Sequence, residues 1–132
     1  MKTYSAFVLI EVMVVLAVLG ILLAVIVPDY HQYQLRSYRL EAKQELYRLA
    51  ELQQQYYLQH RRYSAELSVF PGLYNSYLSS NGRFRMLVSL LPDGYVLQAE
   101  AVGAQQKDAA CQRFSLDHRN QHHSEPTANC WQ

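Results

Sequence analysis

Residues 7–27 form an apolar run interrupted only by Glu11 and Gly20. No other feature of the chain constrains its folding as strongly. At ~1.5 Å per residue, a helix of that length reaches ~30 Å, the hydrocarbon thickness of a bilayer. A helix that is apolar on every side has no polar face to turn toward water. The run therefore predicts a membrane-crossing helix. A secretory signal peptide fits less well, because its apolar region is usually ~7–15 residues long and ends at a small-residue cleavage site. Pro28-Asp29-Tyr30 follows here instead, so the segment is expected to stay in the mature protein.

The remainder has a different composition. All three Ile and seven of the eleven Val precede Pro28, whereas ten of the eleven Tyr follow it. The chain reads as a greasy rod joined to a Tyr-rich, water-soluble part. With 132 residues there is room for one domain. Twelve Lys and Arg against eleven Asp and Glu give a net charge of +1 and a pI near 7.8. That is neither the strongly basic balance of a dedicated nucleic-acid binder nor the charge excess of a disordered chain. No repeat with a period of about 20–50 residues is visible, which argues against a solenoid.

Glu11 is the sole charge inside the run. An acid at the centre of a membrane helix costs ~2.5–3.5 kcal/mol, less near an end. Two readings of it are open from the residues. One is a carboxylate at the interface, helped by the positive helix N-terminus. The other is a charge that seeks a partner. A cut between Ala6 and Phe7 would place a new α-ammonium on Phe7, four residues before Glu11. Among parallel helices, the carboxylate of one chain could neutralise the amine of another and fix their axial register, because an unpaired charge there is costly.

The string Ala6-Phe7-Val8-Leu9-Ile10-Glu11 resembles the class III signal of type IV pilins and pseudopilins: a short basic leader, a small residue, then Phe-x-Leu-Ile-Glu opening a long apolar helix. Gly20, Pro28, Tyr30 and Tyr33 also match the family pattern, and the likeness covers roughly residues 1–35. It implies cleavage by a prepilin peptidase after Ala6, N-methylation of Phe7, and a role for Glu11 in assembly through the Phe7 amine of a neighbouring subunit. Ala6 stands where the family usually has Gly, which bears on cleavage efficiency. The implied division is a leader over residues 1–6, a membrane and filament-core helix over 7–28, and a pilin head over 29–132.

Pro28 lacks the donor that a helix interior needs and crowds the carbonyl of Ala24, so a bend or opening of the helix is expected there. Gly20 weakens the same stretch by up to ~1 kcal/mol relative to Ala. In the family reading, these two positions let the segment unwind during filament packing. Residues 29–58 resume a helical pattern with no Gly or Pro. Leu35, Arg39, Ala42, Leu46, Leu49 and Gln53 lie on one stripe, and His60-Arg61-Arg62 ends the helix. Residues 59–82 read mostly as loop, with turn signals at Pro71-Gly72 and Asn81-Gly82. Strands are expected over 84–91, 95–102 and 111–116. Leu91-Pro92-Asp93-Gly94 is the hairpin turn between the first two, with Gly94 available for positive φ. The fold class is α+β: a long N-terminal helix on a three- or four-stranded antiparallel sheet.

Cys111 and Cys130 would close a loop of about 20 residues, and a disulfide there is worth ~3 kcal/mol in the chain-entropy model. It would place the head in an oxidising compartment and the N-terminus in the cytoplasm. Zinc is the other reading, because His118, His122 and His123 lie within the loop, but their spacing is not a standard zinc pattern. No metal site, cofactor or catalytic residue is expected, and no nucleophile elbow or P-loop occurs in the chain.

Asp108-Ala109-Ala110-Cys111, the strand ending in Leu116-Asp117, Glu41-Ala42-Lys43 and the terminal Cys130-Trp131 resemble the PilE-type minor pilins. That resemblance implies a minor pilin in the inner membrane with a periplasmic head. It would join a priming or tip complex with other major and minor pilins and then reach the cell surface in the pilus. Minor pilins with similar heads include DNA receptors of natural transformation. Arg83, Arg85, Lys107, Arg113 and Arg119 are the candidate DNA contacts for that alternative, provided they converge. A type II secretion pseudopilin is the third reading.

Overall fold

The structure is a computed structural model. It describes residues 4–73 and 77–131, with the backbone alone for residues 4–6, 28, 29 and 128. Helix α1 runs from Tyr4 to His60, 57 residues in all. The chain divides into two compact units, Met1–Gln34 and Leu35–Gln132. In the first, every side chain from Phe7 to Val27 is exposed, as an apolar helix awaiting lipid or other helices must be. The helical assignment continues through Gly20 and Pro28. The helix is thus continuous at both positions in the chain alone.

In the second unit the stripe falls where its spacing places it. Ala42, Leu46, Leu49 and Gln53 are fully buried. Steps of four, three and four residues put them on one face. Gln53 is buried because its carboxamide is satisfied: Nε2 donates to the Ser64 carbonyl at 2.7 Å, and the Ser64 N–H donates to Oε1 at 3.0 Å. Arg61 takes a φ of 57° just past the helix end, and its N–H donates to the Tyr57 carbonyl at 2.8 Å. A left-handed residue in this position satisfies one of the orphan carbonyls of the last turn.

The sheet has five antiparallel strands in sequence order: β1 (Tyr77–Leu78), β2 (Phe84–Leu91), β3 (Gly94–Ala101), β4 (Cys111–Asp117) and β5 (His122–Pro126). The three strands expected from pattern form the centre. Both edge strands go beyond the expectation. β1 is two residues long and leaves no periodic signal. β5, His-His-Ser-Glu-Pro, lacks the apolar alternation by which a strand is recognised. It pairs with β4 from Cys111↔Pro126 to Leu116↔His122. A 3-10 helix, Leu67–Val69, breaks the long connection before β1.

The pleat sends Phe84, Met86, Leu97, Ala99, Ala101, Phe114 and Leu116 into one core with the α1 stripe. Fully burying a side chain of the Leu or Phe kind is worth ~1.5–3 kcal/mol. The β2–β3 register pairs Leu91 with Gly94 and leaves Pro92-Asp93 as the turn. Gly94 is not among the residues of positive φ, which are Gly72, Gly82 and Gly103 among the glycines. Its requirement is space instead. A Cβ there would overlap the His118 ring, which packs against it from the β4–β5 turn.

Candidate functional site

The first candidate is the N-terminal helix. Phe7 is 73% exposed. Glu11 is exposed on the same helix and has no ion-pair partner among the described residues. A bare carboxylate in an apolar surface is an unmet electrostatic demand, and an ammonium group from another chain can meet it. The side chains of Ala6 and Pro28 lie outside the described residues. The segment beginning at Phe7 is long and apolar enough to cross a membrane.

The second candidate is the set of cations on the head. The antiparallel register fixes where they stand. Arg85 lies opposite Glu100, and Glu100 lies opposite Arg113, which lies opposite Glu125. Directly opposed residues share a face, so the outer sheet face carries a row of alternating charge. Arg113 is spoken for within it, donating to Glu100 at 3.2 Å and to Glu125 at 3.4 Å. Arg83 precedes β2, accepts the Val102 N–H at its carbonyl, and lays its guanidinium over the Tyr38 ring at 4.9 Å. Val102 leads directly into the 3-10 helix Gly103–Lys107, which carries Lys107. Arg83, Arg85, Lys107 and Arg113 therefore gather at one end of the sheet.

Arg119 does not join them. It lies in the β4–β5 turn, and Asp117 accepts its N–H at 2.9 Å. From Arg113 to Asp117 alone, β4 covers ~13 Å. The five expected contacts thus split between the two ends of the sheet. Arg61 and Arg62, read from the sequence only as a helix end, stand at Arg119's end. They line a groove of about 450 Å³ with Tyr57, Tyr63 and the Leu90–Gly94 hairpin. Tyr57 stacks on Tyr63 at 4.7 Å. The Arg doublet between two tyrosines was the signal for this basic-aromatic site. Only the α1–sheet packing shows that it lies beside the hairpin.

A buried ion pair ties α1 to the sheet. Arg39 Nε and a terminal guanidinium nitrogen donate to the two carboxylate oxygens of Asp108, both at 2.6 Å. Gln105 Nε2 adds a third donor to Asp108 at 3.3 Å. Asp108 immediately precedes the disulfide segment, and its carbonyl accepts the Cys111 N–H. Cys111 and Cys130 are joined, with Cα atoms 5.6 Å apart. Of the histidines in that loop, His122 and His123 are exposed and His118 is half-buried. His122 stacks on Trp131 with centroids 4.2 Å apart, and His118 packs against Gly94.

A family model described as "Type IV minor pilin ComP, DNA uptake sequence receptor" matches residues 28–115. The chain belongs to this family. The ComP match takes in the helix stripe, the central strands and the first cysteine of the disulfide. The type IV major pilin protein PilA of Myxococcus xanthus is 41% identical over 58 residues, which are 44% of this chain and 26% of PilA. The match thus spans about a quarter of that relative's length. A solved type IV pilin from Shewanella oneidensis superimposes with a TM-score of 0.55 at 23% identity, covering 74% of this chain and 98% of that one. The fold is the type IV pilin fold.

Proposed function

We propose that this chain is a minor subunit of a type IV pilus that enters the filament by its apolar helix and binds DNA with its head. The match to a family described as DNA uptake sequence receptors carries the DNA part. It moves this reading ahead of the priming or tip role that ranked first from the sequence, and ahead of a secretion pseudopilin. Arg83, Arg85 and Lys107 supply the charge, since Arg113 is held by two carboxylates. Three phosphate contacts give a slope of about −2.7 in log affinity against log salt, or ~40-fold over a fourfold rise in salt. Filter retention of duplex DNA by the detergent-solubilised full chain tests this. Salt-sensitive retention that weakens in Arg85→Gln with Lys107→Gln is expected, and no salt-sensitive retention refutes it.

The assembly part rests on Glu11. In this reading a prepilin peptidase cuts after Ala6, Phe7 is N-methylated, and Glu11 meets the Phe7 ammonium of a neighbour. The helix anchors the precursor in the inner membrane, and the disulfide-bearing head faces the periplasm, where such bonds persist. Glu11→Ala should insert in the membrane at wild-type level and vanish from sheared pili on immunoblots. Wild-type amounts in the sheared fraction count against the register role.

A further inference from the structure

An acid stands beside the cations at the basic end of the sheet. Glu41 lies on α1 one turn after Tyr38, and the Arg83 guanidinium sits 4.9 Å from the Tyr38 ring centroid. Residues three apart on a helix share a face. By Coulomb's law alone, a carboxylate at this place repels a phosphate and weakens a DNA contact. Its geometry gives it another use. Asn81, in the turn between β1 and β2, donates its backbone N–H to Glu41 Oε1 at 3.0 Å and its side-chain amide to Oε2 at 2.6 Å. A carboxylate meets both demands. A carboxamide at position 41 would set an NH2 group against one of the two Asn81 donors.

The hold passes through Asn81 to Arg83. Asn81 Oδ1 accepts the Arg83 N–H at 2.9 Å and the Ser79 hydroxyl at 2.7 Å, and Ser79 Oγ accepts the Phe84 N–H at 3.1 Å. The Gly82 N–H donates to the Ser79 carbonyl at 2.7 Å and closes the turn, with Gly82 at a φ of 67°. Beyond it, the Arg83 carbonyl accepts the Val102 N–H at 2.9 Å. The Arg83 main chain is thus fixed on both sides, and its side chain rests on a ring of α1. Arg83 is half-buried, whereas Arg85 and Lys107 are exposed.

We propose that Glu41 is a positioning residue for DNA: through Asn81 it holds the Ser79–Arg83 turn, so that Arg83 meets a backbone phosphate with its guanidinium already ordered. The inference rests on the DNA-binding reading above. An arginine ordered beforehand gives up less rotamer freedom on contact, and its planar fork of donors matches a phosphate. The sign of the effect separates this role from charge. Removing an acid near a phosphate strengthens binding, whereas removing this acid weakens it.

The test is filter retention of duplex DNA by the detergent-solubilised full chain, for Glu41→Gln, Arg83→Gln and the double variant at one salt concentration. Glu41→Gln should bind about three- to tenfold more weakly than wild type, although it removes a negative charge. In the Arg83→Gln background the same change should leave retention level or raise it. A merely structural tie would give the same fold-loss in both backgrounds. Trp131 is the chain's only tryptophan, so its emission reports whether the head is folded. Should Glu41→Gln misfold, Asn81→Ala breaks the tie from the other side with the Glu41 charge in place, and its own comparison with Arg83→Gln decides. Retention by folded Glu41→Gln at or above the wild-type level, or an equal loss in both backgrounds, overturns the inference and leaves the DNA-binding reading standing. Wild-type chain without salt-sensitive retention overturns both.

Discussion

Asp108→Ala should be among the most damaging single substitutions in the head. The carboxylate accepts two bonds from Arg39 at 2.6 Å, and the two side chains are 4% and 17% exposed. Deleting it strands a guanidinium with little access to water and removes an acceptor from Gln105. Breaking a buried pair from one side costs ~3–5 kcal/mol. Arg39 keeps some water, so a loss of about 3 kcal/mol is expected. For a domain of this size each kcal/mol lowers Tm by ~4–8 °C, so the midpoint should fall by ~12–24 °C. Thermal unfolding of the detergent-solubilised full chain, followed by near-ultraviolet circular dichroism, reads this. Arg39→Leu completes a double-mutant cycle. With both partners gone no bare charge remains, and the double variant should be more stable than the sum of the singles by ~1.5 kcal/mol or more. A loss below ~1 kcal/mol for Asp108→Ala, or an additive cycle, is the behaviour of a surface pair and refutes the reasoning.

Three further outcomes follow from the same packing. Gly94→Ala sets a methyl group against His118 and should destabilise the head by ~1–3 kcal/mol, with recovery in a Gly94→Ala, His118→Ala double variant; unchanged urea midpoints for Gly94→Ala would contradict the overlap. Cys130→Ser opens the Cys111–Cys130 loop and should cost ~3 kcal/mol, with the wild-type chain under reductant falling to the same midpoint. The Tyr95 hydroxyl is pushed from 10.0 up to about 12 by burial first, then by Tyr63 and Asp117. Stability linked to it is full below pH 10 and is lost as pH rises toward 12, because the unfolded chain ionises first. Tyrosinate absorbance should show the Tyr95 hydroxyl titrating late, with Tyr77 also raised by burial and by Glu45, and Tyr95→Phe should flatten that alkaline loss.

The site was partly legible in the residues. Glu11 stood out because one charge in an apolar run demands an explanation on its own. The cysteine pair stood out because two such residues at that separation have few other uses in a small head. The candidate DNA contacts could not be judged this way. Arg113 and Arg119 are six residues apart, yet one is locked between Glu100 and Glu125 while the other sits past the strand end. Arg61 and Arg62 read as a helix stop, and only the hairpin packed beside them makes a groove.

The sequence by itself determined the apolar helix, the α1 core stripe and the three central strands. These depend on local periodicity, and period and pairing partner are written in the same residues. The tertiary structure alone decided β1, β5, the role of Gly94 and the tie between Glu41 and Asn81. β5 has no apolar alternation. It becomes a strand because β4 offers it an edge, and the disulfide pins the chain just beyond it. Gly94 signalled a turn, but its need is set by a histidine 24 residues away. Such constraints come from residues meeting across the fold, and no window of sequence contains both partners.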